Sequence, residues 1–213
     1  MELKQEIMQN VIEGKMPVVK TLVEQARKAG LRPEELLNQA LIPAMGVVGE
    51  RYTRGDIYVP EMLLAARAMK AAIAILQPHL VQAKVEPVGR MVIGTVKGDL
   101  HDIGKNLVSL MLQGAGLQVI DLGTDVPPDR FIAAVREHQP QFLGMSALLT
   151  TTMPNMKTTI ESLHAAGIRD SVKVMVGGAP LTADYAREIG ADLYARDAAD
   201  AARRVRAMLV SAP

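Results

Sequence analysis

Apolar positions in the first part of the chain recur three and four residues apart. Ile7, Val11 and Ile12 form a short stripe that ends near Gly14, and Val18, Val19, Leu22, Val23 and Ala26 form a second, closed by Gly30. A third opens at Pro33-Glu34-Glu35, where proline suits a first helical turn, and carries Leu36, Leu37, Ala40, Leu41, Ala44, Met45 and Val48. A fourth begins near Pro60 and runs through Met62, Leu63, Ala66, Met69, Ala72, Ile73 and Leu76. One stripe per helix and short connections predict a four-helix bundle over residues 1–80. Residues 81–89 lose this periodicity and read as a linker. Over residues 90–213 the period changes. Short apolar runs (MVIGTV, LQVIDL, FLGMS, VKVMVGG, DLYA) alternate with helical stripes at 103–115, 127–138, 153–166, 181–189 and 198–210. Five strands alternating with five helices predict a Rossmann-like, flavodoxin-type, doubly wound parallel sheet. Ligands of such sheets bind beyond the carboxyl ends of the strands.

Composition narrows the setting. The 213 residues carry 24 basic and 23 acidic side chains, so neither nucleic acid nor an anionic membrane is an expected partner. No apolar run reaches the roughly 18 residues of a membrane span. The start, MELKQEIMQNVIEGK, is a polar amphipathic segment and not a signal peptide, so a cytoplasmic location is expected. The chain has no cysteine, which fits a reducing compartment and excludes thiolate catalysis and thiolate metal ligation. Thirteen methionines against two phenylalanines and no tryptophan predict a core filled by flexible, unbranched side chains.

The candidate chemistry lies where the first strand of the second half stops. Lys97-Gly98 ends the apolar run, and Asp99, His101, Asp102 and Gly104 follow before the next helix. Asp102 suits a helix cap, and a lone loop histidine is usually a surface residue. The other strand ends alter that reading. Ser146 to Thr152 is neutral and hydroxyl-rich, Gly177-Gly178-Ala179-Pro180 lacks bulky side chains, and Tyr194-Ala195-Arg196-Asp197-Ala198 closes the edge. Together they predict a long groove of small residues beside His101. Carboxylates in the first loop would repel the phosphate of a flavin or nucleotide, and a phospho-acceptor domain of this topology needs an aspartate where Ser146 stands. One imidazole cannot by itself hold zinc or iron, whereas a macrocycle that brings its own equatorial ligands needs only an axial one. On that reading Asp99 orients the imidazole and Gly104 leaves room for a chain of the ligand. His79, His138 and His164 fall at helix ends, and Glu34-Glu35 is a first-turn charge preference, so all five read as structural.

Asp99-x-His101-x-x-Gly104, followed by Ser146-x-Leu148 and by Gly177-Gly178, resembles the cobalamin-binding domain of methionine synthase and its relatives. Ala44-Met45-Gly46-Val47-Val48-Gly49, Gly55-Asp56-Ile57-Tyr58-Val59-Pro60 and Ala65-Ala66-Arg67-Ala68-Met69-Lys70 look like the cap module of the same family. The resemblance covers essentially the whole chain, and its length is similar to that of the small corrinoid proteins of methanogens and acetogens.

The resemblance implies a methyl carrier that binds cobalamin or a related corrinoid base-off, with His101 as the lower axial ligand to cobalt. Asp99 would hydrogen-bond His101, and Thr152 would supply the outer hydroxyl, where the family often has serine. Ser146 and Thr150 would meet the displaced nucleotide tail in a groove lined by Gly177, Gly178 and Ala198. Gly98, Asp102, Ile103 and Leu148 complete the implied cofactor-binding set, with Tyr58 and Met62 as cap residues over the upper face. The cofactor would alternate between cob(I)alamin and methylcob(III)alamin, and the stretch after the bundle would serve as a hinge. The implied partners are a substrate-specific methyltransferase, an acceptor methyltransferase serving a thiol coenzyme or tetrahydrofolate, and a reductive activase. The chain would not catalyse alone. A cobalamin-dependent sensor would need an output domain, usually helix-turn-helix, for which no helix is left over. An adenosylcobalamin mutase small subunit would share the histidine loop but not the cap, and a plain flavodoxin-like binding module would need no cobalt at all.

Overall fold

The computed structural model describes residues 2–83 and 86–211, which fold as two compact units whose main division falls between Pro87 and Val88. In the first unit α1 (Glu2–Ile12) buries Ile7 and Val11, and α2 (Met16–Lys28) buries Val19, Val23 and Ala26. The third predicted helix is not continuous. It begins as α3 (Pro33–Leu36), opens into a π turn at Leu37–Leu41, and resumes as α4 (Ile42–Arg54). The cause is Pro43, one residue into α4. Its ring crowds the carbonyl four residues back and it offers no N–H, so the chain widens by one residue just before it. The amide of Ile42 accordingly bonds the carbonyl of Leu37, five residues earlier.

The fourth helix, α5 (Val59–Gln82), runs 24 residues and passes through Pro78. It extends two residues into the stretch expected to be a linker, and its buried face is Met62, Ala65, Ala66, Ala68, Met69, Ala72 and Leu76. Of that expected linker, Lys84 and Val85 lie outside the described residues. Glu34 and Glu35 form no acid pair of their own: Arg32 bonds both, and Lys4 reaches Glu35 at 3.2 Å.

The second unit alternates β1 (Gly89–Thr95), α6 (Ile103–Gly114), β2 (Leu117–Asp121), α7 (Pro128–His138), β3 (Phe142–Ser146), α8 (Pro154–Ala165), β4 (Lys173–Gly177), α9 (Ala183–Glu188), β5 (Leu193–Ala195) and α10 (Ala198–Ser211). All strand pairs are parallel, in the order β2-β1-β3-β4-β5. The core beneath the helices joins Val92, Phe131, Leu143, Met145, Met156, Ile160, Val174 and Val176. Register then aligns the strand ends. Thr95 pairs with Ser146, Ser146 with Gly177, and Gly177 with Ala195, so four strands stop on one line.

Short loops follow from local capping. Thr182 Oγ1 accepts the Tyr185 amide at the start of α9. At the start of α10, Asp197 accepts the Asp200 amide while Asp200 reaches back to the Arg196 amide, a reciprocal cap. Burial pushes the Asp200 carboxyl up, but bonds from Arg204 and the Arg196 amide, with the charge of Arg203 close by, outweigh it and hold the group below its ordinary value.

Candidate functional site

In this strand order the chain turns in opposite directions after β1 and after β3, and a crevice opens between the two loops. The loop after β1 carries Asp99 and His101; the loop after β3 carries Leu148, Leu149 and Thr152. Asp99 is fully buried between them and accepts five hydrogen bonds. Its Oδ1 accepts from the His101 amide at 3.0 Å and faces His101 Nδ1 at 2.8 Å. Its Oδ2 accepts from the Leu148 amide at 2.8 Å, the Leu149 amide at 3.1 Å and Thr152 Oγ1 at 2.8 Å.

Burial alone would push this carboxyl up. The amides of His101 and Leu148, the His101 ring and the Thr152 hydroxyl outweigh burial and hold it well below the usual carboxylate range. Asp99 is therefore a fixed anion. Facing a permanent acceptor, Nδ1 of His101 carries the proton, which leaves the Nε2 lone pair available. Among the described residues nothing hydrogen-bonds Nε2, and the His101 side chain is half exposed (51%). The arrangement thus presents one oriented imidazole nitrogen outward from the crevice.

The surroundings of His101 are apolar and open. Leu100 and Ile103 are 73% and 77% exposed, and Leu148 and Leu149 are also exposed. A side chain at Gly104 would meet no protein atom within 4 Å. Gly98 turns the chain with φ near +80°, a left-handed backbone that suits glycine. Gly178 is more constrained: its φ is +139°, and a Cβ there would stand 1.9 Å from the Ala147 carbonyl oxygen. Gly177 and Gly178 follow Ser146 across the sheet edge, where Ser146 is half-buried and Thr150 exposed. Ala198 is buried at the start of α10.

Asp102 does not cap α6 through its carboxylate as the sequence suggests. That group instead accepts the side-chain amide of Asn106 at 3.0 Å, while the Asp102 carbonyl takes the Asn106 amide. In the first unit, Tyr58 precedes α5 and is exposed, whereas Met62 is buried. His138 and His164 close α7 and α8, and His79 lies in the last turn of α5.

Sequence reasoning missed several contributors. The Leu149 amide, Thr95, Asp125 and Asn155 all hold the histidine loop, and Lys105 is a buried cation clamped on Asp121 at 2.5 and 2.6 Å. A lysine on the first turn of a helix gives no sign of burial unless the partner at the end of β2 is recognised with it.

Fold and loop together define a doubly wound α/β ligand-binding protein with one anchored histidine at its switch point. Family comparison agrees: residues 89–205 match a model described as a B12 binding domain, and residues 3–77 match a second model of that description. The chain is 45% identical over 191 residues to trimethylamine corrinoid protein 1 of Methanosarcina acetivorans, covering 89% of this chain and 88% of that one. It is 44% identical over 209 residues to the dimethylamine corrinoid protein of Methanosarcina barkeri, covering 98% of both. Among solved structures it superposes with a TM-score of 0.89 on a chain of the methanol:cobalamin methyltransferase complex MtaBC from Methanosarcina barkeri. That match has 33% identity and covers 99% of this chain and 81% of the other. The chain belongs to the B12-binding corrinoid protein family.

The residues present fit the cofactor this family implies. No three histidine or acidic side chains gather as an ion cage among the described residues, so His101 suits a metal that arrives with its other ligands in place. The apolar rim around it and the open space over Gly104 leave room for a large, flat, largely apolar group. Among the described residues no helix is long and apolar enough to cross a membrane.

Proposed function

We propose that this chain is a methyl carrier, holding a corrinoid through His101 and presenting it to two methyltransferases in turn. One would charge the cofactor from a methylated substrate; the other would pass the methyl group to a thiol coenzyme or tetrahydrofolate, with a reductive activase returning oxidised cofactor to use. The observation that carries the reading is the single open Nε2, backed by a buried permanent anion, at the switch point of a B12-binding fold. When bound, the corrinoid supplies a cobalt centre that can accept a methyl group and give it up.

Everything else is the work of this chain's residues. His101 Nε2 would hold the cobalt, and Asp99 keeps the proton on Nδ1 so that the ligating nitrogen stays bare. Thr152 Oγ1 has two acceptors within 2.8 Å, Asp99 Oδ2 and the Leu149 carbonyl, and one proton to give. It therefore ties the carboxylate to the backbone of the loop after β3. Leu100, Ile103 and Leu148 would exclude water beneath the cofactor, and Ser146, Thr150, Gly177 and Gly178 would line the path of its polar tail.

The relatives' names favour a methylamine as the methyl source. The discriminating experiment supplies reduced, corrinoid-loaded protein with a methylamine:corrinoid methyltransferase and trimethylamine, dimethylamine or methanol. Absorption changes of the corrinoid should report its methylation with an amine and none with methanol. Loaded protein that no methyltransferase can methylate would overturn the carrier reading.

A further inference from the structure

Residues 97–101 lie outside any helix or strand, so the loop takes its shape from the groups that grip it. Thr95, buried at the end of β1, donates its hydroxyl to the His101 carbonyl at 3.0 Å. Asn155, in the first turn of α8, donates its side-chain amide to the Lys97 carbonyl at 2.8 Å. Asp125, between β2 and α7, makes two contacts. Its amide donates to the Asp99 carbonyl at 3.0 Å, and its Oδ1 accepts the Gly98 amide at 2.7 Å.

The backbone of Asp125 is unusual for such a residue. Its φ is +54°, in the left-handed region where glycine pays no steric penalty. Glycine would relax this backbone but would leave the Gly98 amide without its acceptor. The loop that carries Asp125 is itself tied down. Lys105 clamps Asp121, Asp121 accepts the Gly123 amide at 2.9 Å, and Thr95 exchanges amide–carbonyl bonds with Gly123 and Val126.

We propose that Asp125 is a positioning residue for His101, holding Gly98 and Asp99 so that the imidazole meets Asp99 and faces outward. The functional meaning of this role rests on the corrinoid-carrier reading; the positioning itself does not. Asp125→Gly removes the acceptor while relieving the backbone, and Asp125→Asn keeps both an acceptor oxygen and tolerance of the left-handed conformation.

In apoprotein with isotope-labelled histidine rings, neutral His101 should carry its proton on Nδ1. Asp125→Gly should mix the two tautomers and speed exchange of the Gly98 amide about tenfold, with no fall in melting temperature; Asp125→Asn should restore the wild-type pattern. Hydroxocobalamin affinity should fall about tenfold in Asp125→Gly, the lower end of what losing a partner behind a ligating histidine costs, and recover in Asp125→Asn. Wild-type tautomer, exchange and affinity in Asp125→Gly would overturn the proposal. Altered tautomer and exchange in a protein that binds no corrinoid in any form would uphold the positioning role and sink the carrier reading instead.

Discussion

Five donors converge on the two oxygens of Asp99, and that number decides what the residue can be. In Asp99→Asn an NH2 group would confront donors where an oxygen now accepts, so the variant should lose about 2–4 kcal/mol of stability in denaturant melts. The loss should depend on pH. A carboxyl held below its ordinary value of 3.8 stabilises the fold above that value, and the contribution fades as pH falls through and beneath it. The gap between wild type and Asp99→Asn should therefore be full above about pH 5 and narrow steadily in acid. Thr152→Ser keeps the hydroxyl and should be near neutral, whereas Thr152→Val should cost about 1–2 kcal/mol in the same melts. His101 and Asp99 are legible in the sequence because a single residue separates them and the chemistry of each is distinctive. Asp125 and Asn155 are not, because they reach partners 27 and 58 residues away across loop closures that only the folded sheet creates.

Among the elements, all five strands fall within a residue or two of the apolar runs that predict them; the central β1, β3 and β4 are buried along most of their length, which keeps their sequences largely apolar. The helical bundle is legible in its stripes but not in its interruptions. Pro43 writes a π turn into what reads as one helix, and Pro78 masks the last turn of α5, which continues although its proline cannot donate to the ladder. Pro78 is exposed within that helix, so Pro78→Ala should restore one backbone bond and raise stability by about 1–2 kcal/mol. At the sheet edge Gly178 is fixed both by collision and by its backbone conformation. Gly178→Ala should cost 3 kcal/mol or more, on the order of a buried steric clash with strained backbone, or displace the loop that delivers Leu148 and Thr152. Thermal melts with and without hydroxocobalamin separate the two results: a displaced loop weakens binding more than it lowers the melting temperature.

At the scale of the whole molecule, the two periodicities along the chain correspond to two compact units. The stretch between α5 and β1 carries Ala83, Glu86, Pro87 and Val88, all exposed. Mild proteolysis should cut there first and leave an α/β fragment that keeps its corrinoid; first cleavage within the strand-end loops would show that the histidine loop is less well held than its hydrogen bonds imply.

The corrinoid-carrier reading stands or falls on whether His101 Nε2 meets the cobalt. The most direct measurement is electron spin resonance of the corrinoid-loaded protein, reduced to the paramagnetic state, prepared with isotope-labelled histidine rings and compared with His101→Ala. Nitrogen coupling from the labelled ring is expected in the wild type, and its loss in the variant. Corrinoid bound with no coupling to the label, or with coupling that survives in His101→Ala, would contradict it.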